Sequence, residues 1–169
     1  MPLVLIIMGV SGCGKTTIGR LLSATLDWPF FDADDFHPPA NVKKMGAGTP
    51  LTDQDRLPWL KTLATKVQEH VDQNQPMVLA CSALKDAYRQ VLCVDSKHVQ
   101  FVYLKGDFHL ITLRLQARED HFMKASLLQS QFDGLEEPGD AIVVSINPSP
   151  FDIVETIRSS LDSHLNTPN

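Results

Sequence analysis

The residues best suited to chemistry form a glycine-rich loop near the start of the chain. Residues 9–16 read Gly-Val-Ser-Gly-Cys-Gly-Lys-Thr, which matches the phosphate-loop pattern GxxxxGK[ST] between an apolar run and an amphipathic segment. Glycines allow backbone N–H groups to surround a phosphate, and the following helix adds partial positive charge. Lys15 would lie between the β- and γ-phosphates of ATP, and the Thr16 hydroxyl would bind Mg²⁺. The residues predicted to bind the nucleotide here are Gly9, Ser11, Gly12, Cys13, Gly14, Lys15, Thr16 and Thr17.

Two aspartates follow the second predicted strand. Asp32 and Asp34 lie two positions apart, so on an extended segment their side chains would point the same way. At the carboxyl edge of a parallel sheet, such a pair faces the ligand crevice. One carboxylate could orient Mg²⁺ through water while the other accepts the proton of an attacking hydroxyl. The alternative is an acidic, solvated turn.

Basic residues recur later in the chain at helical spacing. Lys85 and Arg89 are four positions apart, as are Arg114 and Arg118, and Arg56 begins a long helical segment. An arginine pair on a mobile segment could close over the γ-phosphate and stabilise charge in the transition state. We therefore expect functional roles for Arg118 and Arg56. For Lys85 and Arg89, a solvated surface charge explains the pattern equally well.

The elements that must position these residues alternate between strands and helices. Apolar runs at 3–8, 77–81, 99–104 and 141–146, and a shorter run at 29–32, read as buried parallel strands. Helical periodicity is clearest after the N-cap expected at Thr52 or Asp53. The stripe predicted to face the core there is Leu57, Leu60, Ala64, Val67 and Val71. These patterns predict a three-layer α/β fold in a single domain spanning residues 1–169.

Composition and charge exclude several classes of protein. The 169 residues carry a net charge of −5 without a basic cluster, which argues against a nucleic-acid partner. The first apolar run is too short to span a bilayer and lacks the features of a signal peptide. The 3 cysteines show no CxxC spacing, as expected for reduced thiols in the cytoplasm. We therefore expect a cytoplasmic protein with no membrane partner.

The phosphate-loop class can be narrowed by what the sequence lacks. A GTPase would be expected to carry an Asn-Lys-x-Asp segment, and the chain has none. A motor or transporter ATPase would usually be larger and have an acid at the end of a strand such as 77–81. That run is followed by Cys81 and Ser82 instead. The pattern favours a small kinase.

Longer segments resemble the small bacterial-type gluconokinase family. The similar segments are 8–16, 31–38, 41–45, 50–60, 80–85, 88–89, 104–107, 118, 121–122 and 128–132. The resemblance covers about residues 3–165. It implies phosphorylation of D-gluconate at its 6-hydroxyl with ATP and Mg²⁺. It also implies a five-stranded parallel sheet with helices on both faces, as in shikimate and nucleoside-monophosphate kinases, with a mobile lid at about 114–130.

The resemblance also implies roles for single residues. Asp34 would lie by the reacting hydroxyl, and Asp32, with Thr16, near the metal. The catalytic residues would be Lys15, Asp34 and Arg118, with Arg114 as a further nucleotide contact. The predicted substrate contacts are Asp34, His37, Arg56, Lys85, Arg89, His121 and Gln131. Two alternatives stay open: a kinase for another small acid, such as shikimate, and a non-catalytic nucleotide-binding switch. A homodimer is possible.

Overall fold

A five-stranded parallel sheet forms the centre of the computed structural model, which describes residues 1–118 and 125–165. The strands are β1 (Val4–Met8), β2 (Phe30–Asp32), β3 (Met77–Ala80), β4 (Val99–Lys105) and β5 (Ile142–Ser145). They lie in the order β2-β3-β1-β4-β5, and every neighbouring pair is parallel. The predicted five-stranded parallel sheet is therefore confirmed.

Helices cover both faces of this sheet. They are α1 (Lys15–Leu26), α2 (Pro39–Gly46), α3 (Asp53–Asp72), α4 (Asp86–Leu92), α5 (Phe108–Gln116), α6 (Ala125–Gly134) and α7 (Pro150–Leu165), with a 3₁₀ helix at Ala33–Phe36. One apolar cluster joins the sheet to α1, α5, α6 and α7, and a second joins it to α3 and α4. The three-layer α/β prediction is confirmed.

Strand β1 occupies the middle of the sheet and is apolar along its whole length. Leu5 and Ile7 belong to one apolar cluster, whereas Val4, Ile6 and Met8 belong to the other. A strand covered on both faces needs apolar side chains on both, so its sequence shows a continuous run rather than alternation. The phosphate loop that follows β1 therefore starts from the most firmly packed strand.

Helix α3 begins where the sequence predicted but turns a different face to the core. The Thr52 hydroxyl accepts the Asp55 N–H at 3.1 Å, and the Asp55 carboxylate accepts the Thr52 N–H at 2.9 Å, which makes a capping box. Leu57, predicted to be buried, is 44% exposed. Trp59 and Leu63 are buried instead, together with Leu60 and Val67. The predicted stripe was thus only partly correct.

Two further expectations concern membranes and the lid. Within the described residues, no helix combines the length and the apolar character needed to cross a bilayer. The predicted lid at 114–130 includes the end of α5 and the first six residues of α6. Its residues 119–124, among them His121, lie outside the described part of the chain, so lid closure stays a prediction.

Candidate active site

The phosphate loop spans the turn between β1 and α1. Helix α1 has no side-chain cap, and its N-cap residue is Gly14, with φ of 97°. Within the described chain, no acceptor pairs with the N–H groups that run through the second half of the loop into the first turn of α1. They belong to Gly12, Gly14, Lys15, Thr16 and Thr17. Unpaired N–H groups at a helix start form a site for an anion such as a phosphate.

Close packing around Gly12 explains why the loop needs glycine there. Its φ is +81°, and an added Cβ would lie 2.7 Å from Cγ of Leu115 on α5. Cys13, predicted to contact the nucleotide, is buried, and its N–H donates to the Val10 carbonyl at 3.2 Å. Gly9 has φ of +145° and lies against the Cys13 side chain. These contacts fix the backbone conformation of the loop.

Lys15 and Thr16 lie at the start of α1, above the loop. Lys15 Nζ donates to the Val10 carbonyl at 3.1 Å, so the ammonium folds back over the loop. Thr16 Oγ1 donates to Asp32 Oδ2 at 3.0 Å. A hydroxyl and a carboxylate side by side are hard oxygen ligands of the type that Mg²⁺ binds, usually together with substrate phosphates. The residues present therefore fit a magnesium ion.

Asp32 and Asp34 come together through a 3₁₀ helix and not through an extended strand. Asp32 ends β2 and caps that helix, because its Oδ1 accepts the Asp34 N–H at 3.0 Å. The interpretation of an extended segment was wrong, since the chain turns after Asp32. Both aspartates nevertheless line the same cleft, of about 830 Å³, together with the phosphate loop.

The Asp34 carboxylate has a raised pKa. Enclosure by the cleft removes solvation from the carboxylate and is the main cause, and the negative charge of Asp32 adds to it. The Lys15 ammonium opposes the shift. The side chain still has 83% of its surface accessible, so a ligand in the cleft can reach it. A raised pKa and an open approach are suitable for a group that takes up a proton.

His37 and Trp59 form the wall beside Asp34. Their rings stack with centroids 4.2 Å apart, and the Trp59 indole N–H donates to the Ala33 carbonyl at 2.7 Å. Burial lowers the pKa of His37. Asn41 Nδ2 lies 3.3 Å from His37 Nδ1, so Nδ1 accepts and the neutral ring carries its proton on Nε2, which is 3.9 Å from Asp34 Oδ1. Asn41 belongs to the segment 41–45 that resembles the family, but sequence reasoning gave it no role, because its other partner, the Asp55 carbonyl, lies 14 positions further along the chain.

A second, smaller chamber adjoins the cleft and shares Arg56 and Gln131 with it. Its volume is about 370 Å³. Arg56 donates to the Leu51 carbonyl at 2.8 Å and to the Tyr88 hydroxyl at 3.2 Å. Lys85 Nζ lies 3.0 Å from Asp53 Oδ1, and the Tyr88 hydroxyl donates to the same carboxylate. Lys85 therefore lines the second chamber, paired with Asp53, and not the main cleft.

The remaining predicted residues differ in where they lie. Arg118 is exposed and lines the cleft. Arg114 is outside the lining and donates to the Ile146 carbonyl at 2.7 Å. Arg89 is 5% exposed and donates to the carbonyls of Ala83, Leu84 and Glu136. The structure does not bring Arg89 to the cleft, because its guanidinium is used to hold the loop before α4.

Comparisons with known proteins agree with this geometry. The shikimate kinase family model matches residues 11–137. The gluconokinase of Gluconobacter oxydans (strain 621H) is 49% identical over 139 residues, covering 82% of this chain and 78% of that protein. The thermosensitive gluconokinase of Escherichia coli (strain K12) is 42% identical over 160 residues, covering 92% and 86%.

A solved structure extends the agreement to the fold. The crystal structure of a gluconokinase from Sinorhizobium meliloti 1021 aligns with a TM-score of 0.85 at 34% identity, covering 99% of this chain and 98% of that chain. The chain therefore belongs to the gluconokinase family, and it is a kinase.

Proposed function

We propose that the protein transfers the γ-phosphoryl group of ATP to the 6-hydroxyl of D-gluconate, giving 6-phospho-D-gluconate and ADP. The observation that carries this proposal is a single cleft lined by the phosphate loop, Asp34 and Arg56. The relatives named gluconokinases, at 42% and 49% identity, support gluconate as the acceptor.

The nucleotide half of the reaction rests on the start of α1. The N–H groups of Gly12 and of residues 14–17, which have no acceptor within the described chain, would bind the phosphate oxygens. Lys15 would leave the Val10 carbonyl and move its ammonium to the β- and γ-phosphates. Arg118, on the cleft wall, would stabilise the charge on the transferred group. Arg114 could contact the nucleotide only by leaving the Ile146 carbonyl. The backbone N–H groups favour the transition state because they are fixed before the charge develops.

Asp34 would handle the proton of the acceptor. The gluconate hydroxyl oxygen bonds to the γ-phosphorus, the bond from that phosphorus to the bridging oxygen of ADP breaks, and the hydroxyl proton passes to Asp34. The raised pKa of Asp34 favours this transfer. Neutral His37, with its proton on Nε2, would donate a hydrogen bond to the acceptor or to Asp34.

Thr16 and Asp32 would hold magnesium. A magnesium ion held there would supply positive charge to offset the negative charge of the phosphates. The hydrogen bond from Thr16 to Asp32 already brings the two oxygens within 3.0 Å, so little rearrangement is required.

The acceptor's carboxylate would lie toward the cationic wall between the two chambers. Arg56 is common to both chambers, and Lys85 lies in the second. An extended sugar acid with its 6-hydroxyl at Asp34 would direct its other end to this wall. The negative carboxylate would then meet the Arg56 guanidinium. Lys85 would reach it only by releasing Asp53.

The test is ADP release with Mg·ATP and a panel of acids that includes D-gluconate, shikimate and other sugar acids. We expect turnover with gluconate well above the ATP hydrolysis measured without an acceptor. Turnover with a different acid and none with gluconate would contradict the proposed acceptor while leaving the kinase assignment intact. ATP binding without turnover on any acid would favour the nucleotide-binding switch.

A further inference from the structure

The tip of the phosphate loop is held by a side chain that lies 120 positions further along the chain. Gln131 Oε1, on α6, accepts the Ser11 N–H at 2.7 Å. Gln131 Nε2 donates to Ser11 Oγ at 2.9 Å. Both ends of one amide therefore bind the backbone and the hydroxyl of a single residue, which fixes the position and the orientation of Ser11.

The helix that carries Gln131 is itself anchored. Leu128, one turn before Gln131, is 1% exposed and packs in the apolar cluster that contains Ile111 and Leu115 of α5. The Phe132 ring meets the Phe108 ring edge to face, with centroids 5.5 Å apart. Gln131 therefore extends from a fixed support, and it can hold the loop in place.

The next loop residue is fixed from the same side. Gly12 lies so close to Leu115 that an added Cβ would come within 2.7 Å of it. Ser11 and Gly12 are thus held against α6 and α5 respectively. The unpaired N–H groups of the phosphate site begin at Gly12, immediately after the residue that Gln131 holds. Because the Ser11 N–H is already used, it is not one of the donors left for a phosphate.

We infer that Gln131 is a positioning residue for ATP and not a contact for the acceptor. Its amide fixes Ser11, and this holds the following N–H groups in the arrangement that binds phosphates. It also makes the nucleotide site depend on where α6 lies. The inference rests on the proposed nucleotide site, but it can be tested without any acceptor.

The first test compares Gln131→Met with Gln129→Met. The first variant keeps the approximate size of the side chain and removes both bonds to Ser11. The second makes the same chemical change two residues away, where the side chain makes an exposed bond to Asp133. In titrations of ATP without acceptor, we expect Gln131→Met to bind roughly tenfold to thirtyfold more weakly, since two hydrogen bonds are lost. Gln129→Met should bind like the wild type.

Steady-state kinetics separate this role from a substrate contact. With gluconate as acceptor, Gln131→Met should raise the KM for ATP much more than the KM for gluconate. A rise in the KM for gluconate alone, with normal ATP binding, would overturn the inference and return Gln131 to the acceptor site. Unchanged ATP binding by Gln131→Met would also overturn the inference. Tighter ATP binding would overturn it too, because the Gln131 amide would then hinder ATP binding instead of supporting it.

A double-mutant cycle distinguishes loss of the contact between Gln131 and Ser11 from a general loss of folding. Ser11→Ala removes the hydroxyl but keeps the backbone N–H, so it should weaken ATP binding less than Gln131→Met does. The double variant should lose less ATP affinity than the product of the two single fold-losses, because both substitutions remove the same contact. Fully multiplicative losses would contradict the inference. If gluconate proves not to be the acceptor, the binding measurements still decide it.

Discussion

Substitution of Gly12 by alanine tests the geometry on which the nucleotide site depends. The backbone φ of +81° is unfavourable for any residue with a Cβ, at a cost of about 1–2 kcal/mol. The new Cβ would also lie 2.7 and 2.8 Å from Cγ and Cδ2 of Leu115, and 3.1 Å from Cγ2 of Ile111. Overpacking of this kind costs about 1–3 kcal/mol. The reduced entropy of the unfolded chain returns up to about 1 kcal/mol.

The net expectation for Gly12→Ala is a loss of about 2–4 kcal/mol in the free energy of unfolding, together with weaker ATP binding. Urea titration followed by circular dichroism measures the first quantity, and calorimetric titration measures the second. Gly139→Ala is the matched control, since its Cβ would meet nothing within 4 Å and its φ is not positive. We expect its stability to change by less than about 1 kcal/mol.

A second variant separates the two causes. Leu115→Ala alone should be destabilising because it removes buried methyl groups. In the Gly12→Ala background, Leu115→Ala also relieves the clash. The double variant should therefore lose about 1–3 kcal/mol less free energy of unfolding than the two single losses added together. Stability of Gly12→Ala within about 0.5 kcal/mol of the wild type, with normal ATP affinity, would refute the packing argument.

Three further predictions follow from the acceptor side and from α3. Asp34→Asn should lower kcat by about a hundredfold or more while changing the Kd for ATP far less. Asp35→Asn, at the neighbouring exposed position, is the control. Equal losses of kcat and of ATP affinity in Asp34→Asn would indicate that Asp34 is a metal ligand instead. Because the pKa of Asp34 is raised from 3.8, kcat/KM should fall on acidification through a pKa above that value, and Asp34→Asn should abolish this limb. His37, whose pKa is lowered from 6.5, should add no limb at or above that pH. Thr52→Ala should lower the free energy of unfolding, measured by urea titration, by about 1 kcal/mol, because the α3 cap is lost. Thr62→Ala, at an exposed position further along the same helix, should have almost no effect. Equal losses in the two variants would argue against the capping box.

The strands and the phosphate loop were predictable because their signals are local. A strand buried on both faces must be apolar throughout, and this is visible in residues 4–8 without any knowledge of partners. The loop pattern fixes its own geometry through its glycines, so its place between β1 and α1 followed from the sequence. Strand order could not be deduced from such signals, since it depends on contacts between distant segments.

The exposed face of α3 shows where periodicity fails. Leu57 fits the apolar period, yet it is 44% exposed. Trp59 is buried because its indole stacks on His37 and donates to the Ala33 carbonyl, and both of these partners come from another segment. A rule based on spacing along one helix does not include such partners.

Among the site residues too, local features could be predicted from the sequence, whereas contacts with distant segments could not. The closeness of Asp32 and Asp34 was predicted, but the 3₁₀ helix that produces it was not, because an aspartate that caps its own turn looks identical in sequence to one on a strand. Arg89 carries the same charge as Arg118, yet it is buried against backbone carbonyls, which depend on the path of a distant loop. The bond between Gln131 and Ser11 has no local signal at all.

The edge position of β2 affects how well the two sides of the cleft tolerate substitution. β1, which leads into the phosphate loop, has β3 and β4 as neighbours. Within the described part of the chain, β2, which leads to Asp34, pairs only with β3, over three positions. Mutations around an outer strand disturb fewer partners than mutations in the middle of the sheet. The proposed acceptor side of the cleft can therefore change at a smaller cost in stability than the proposed phosphate side.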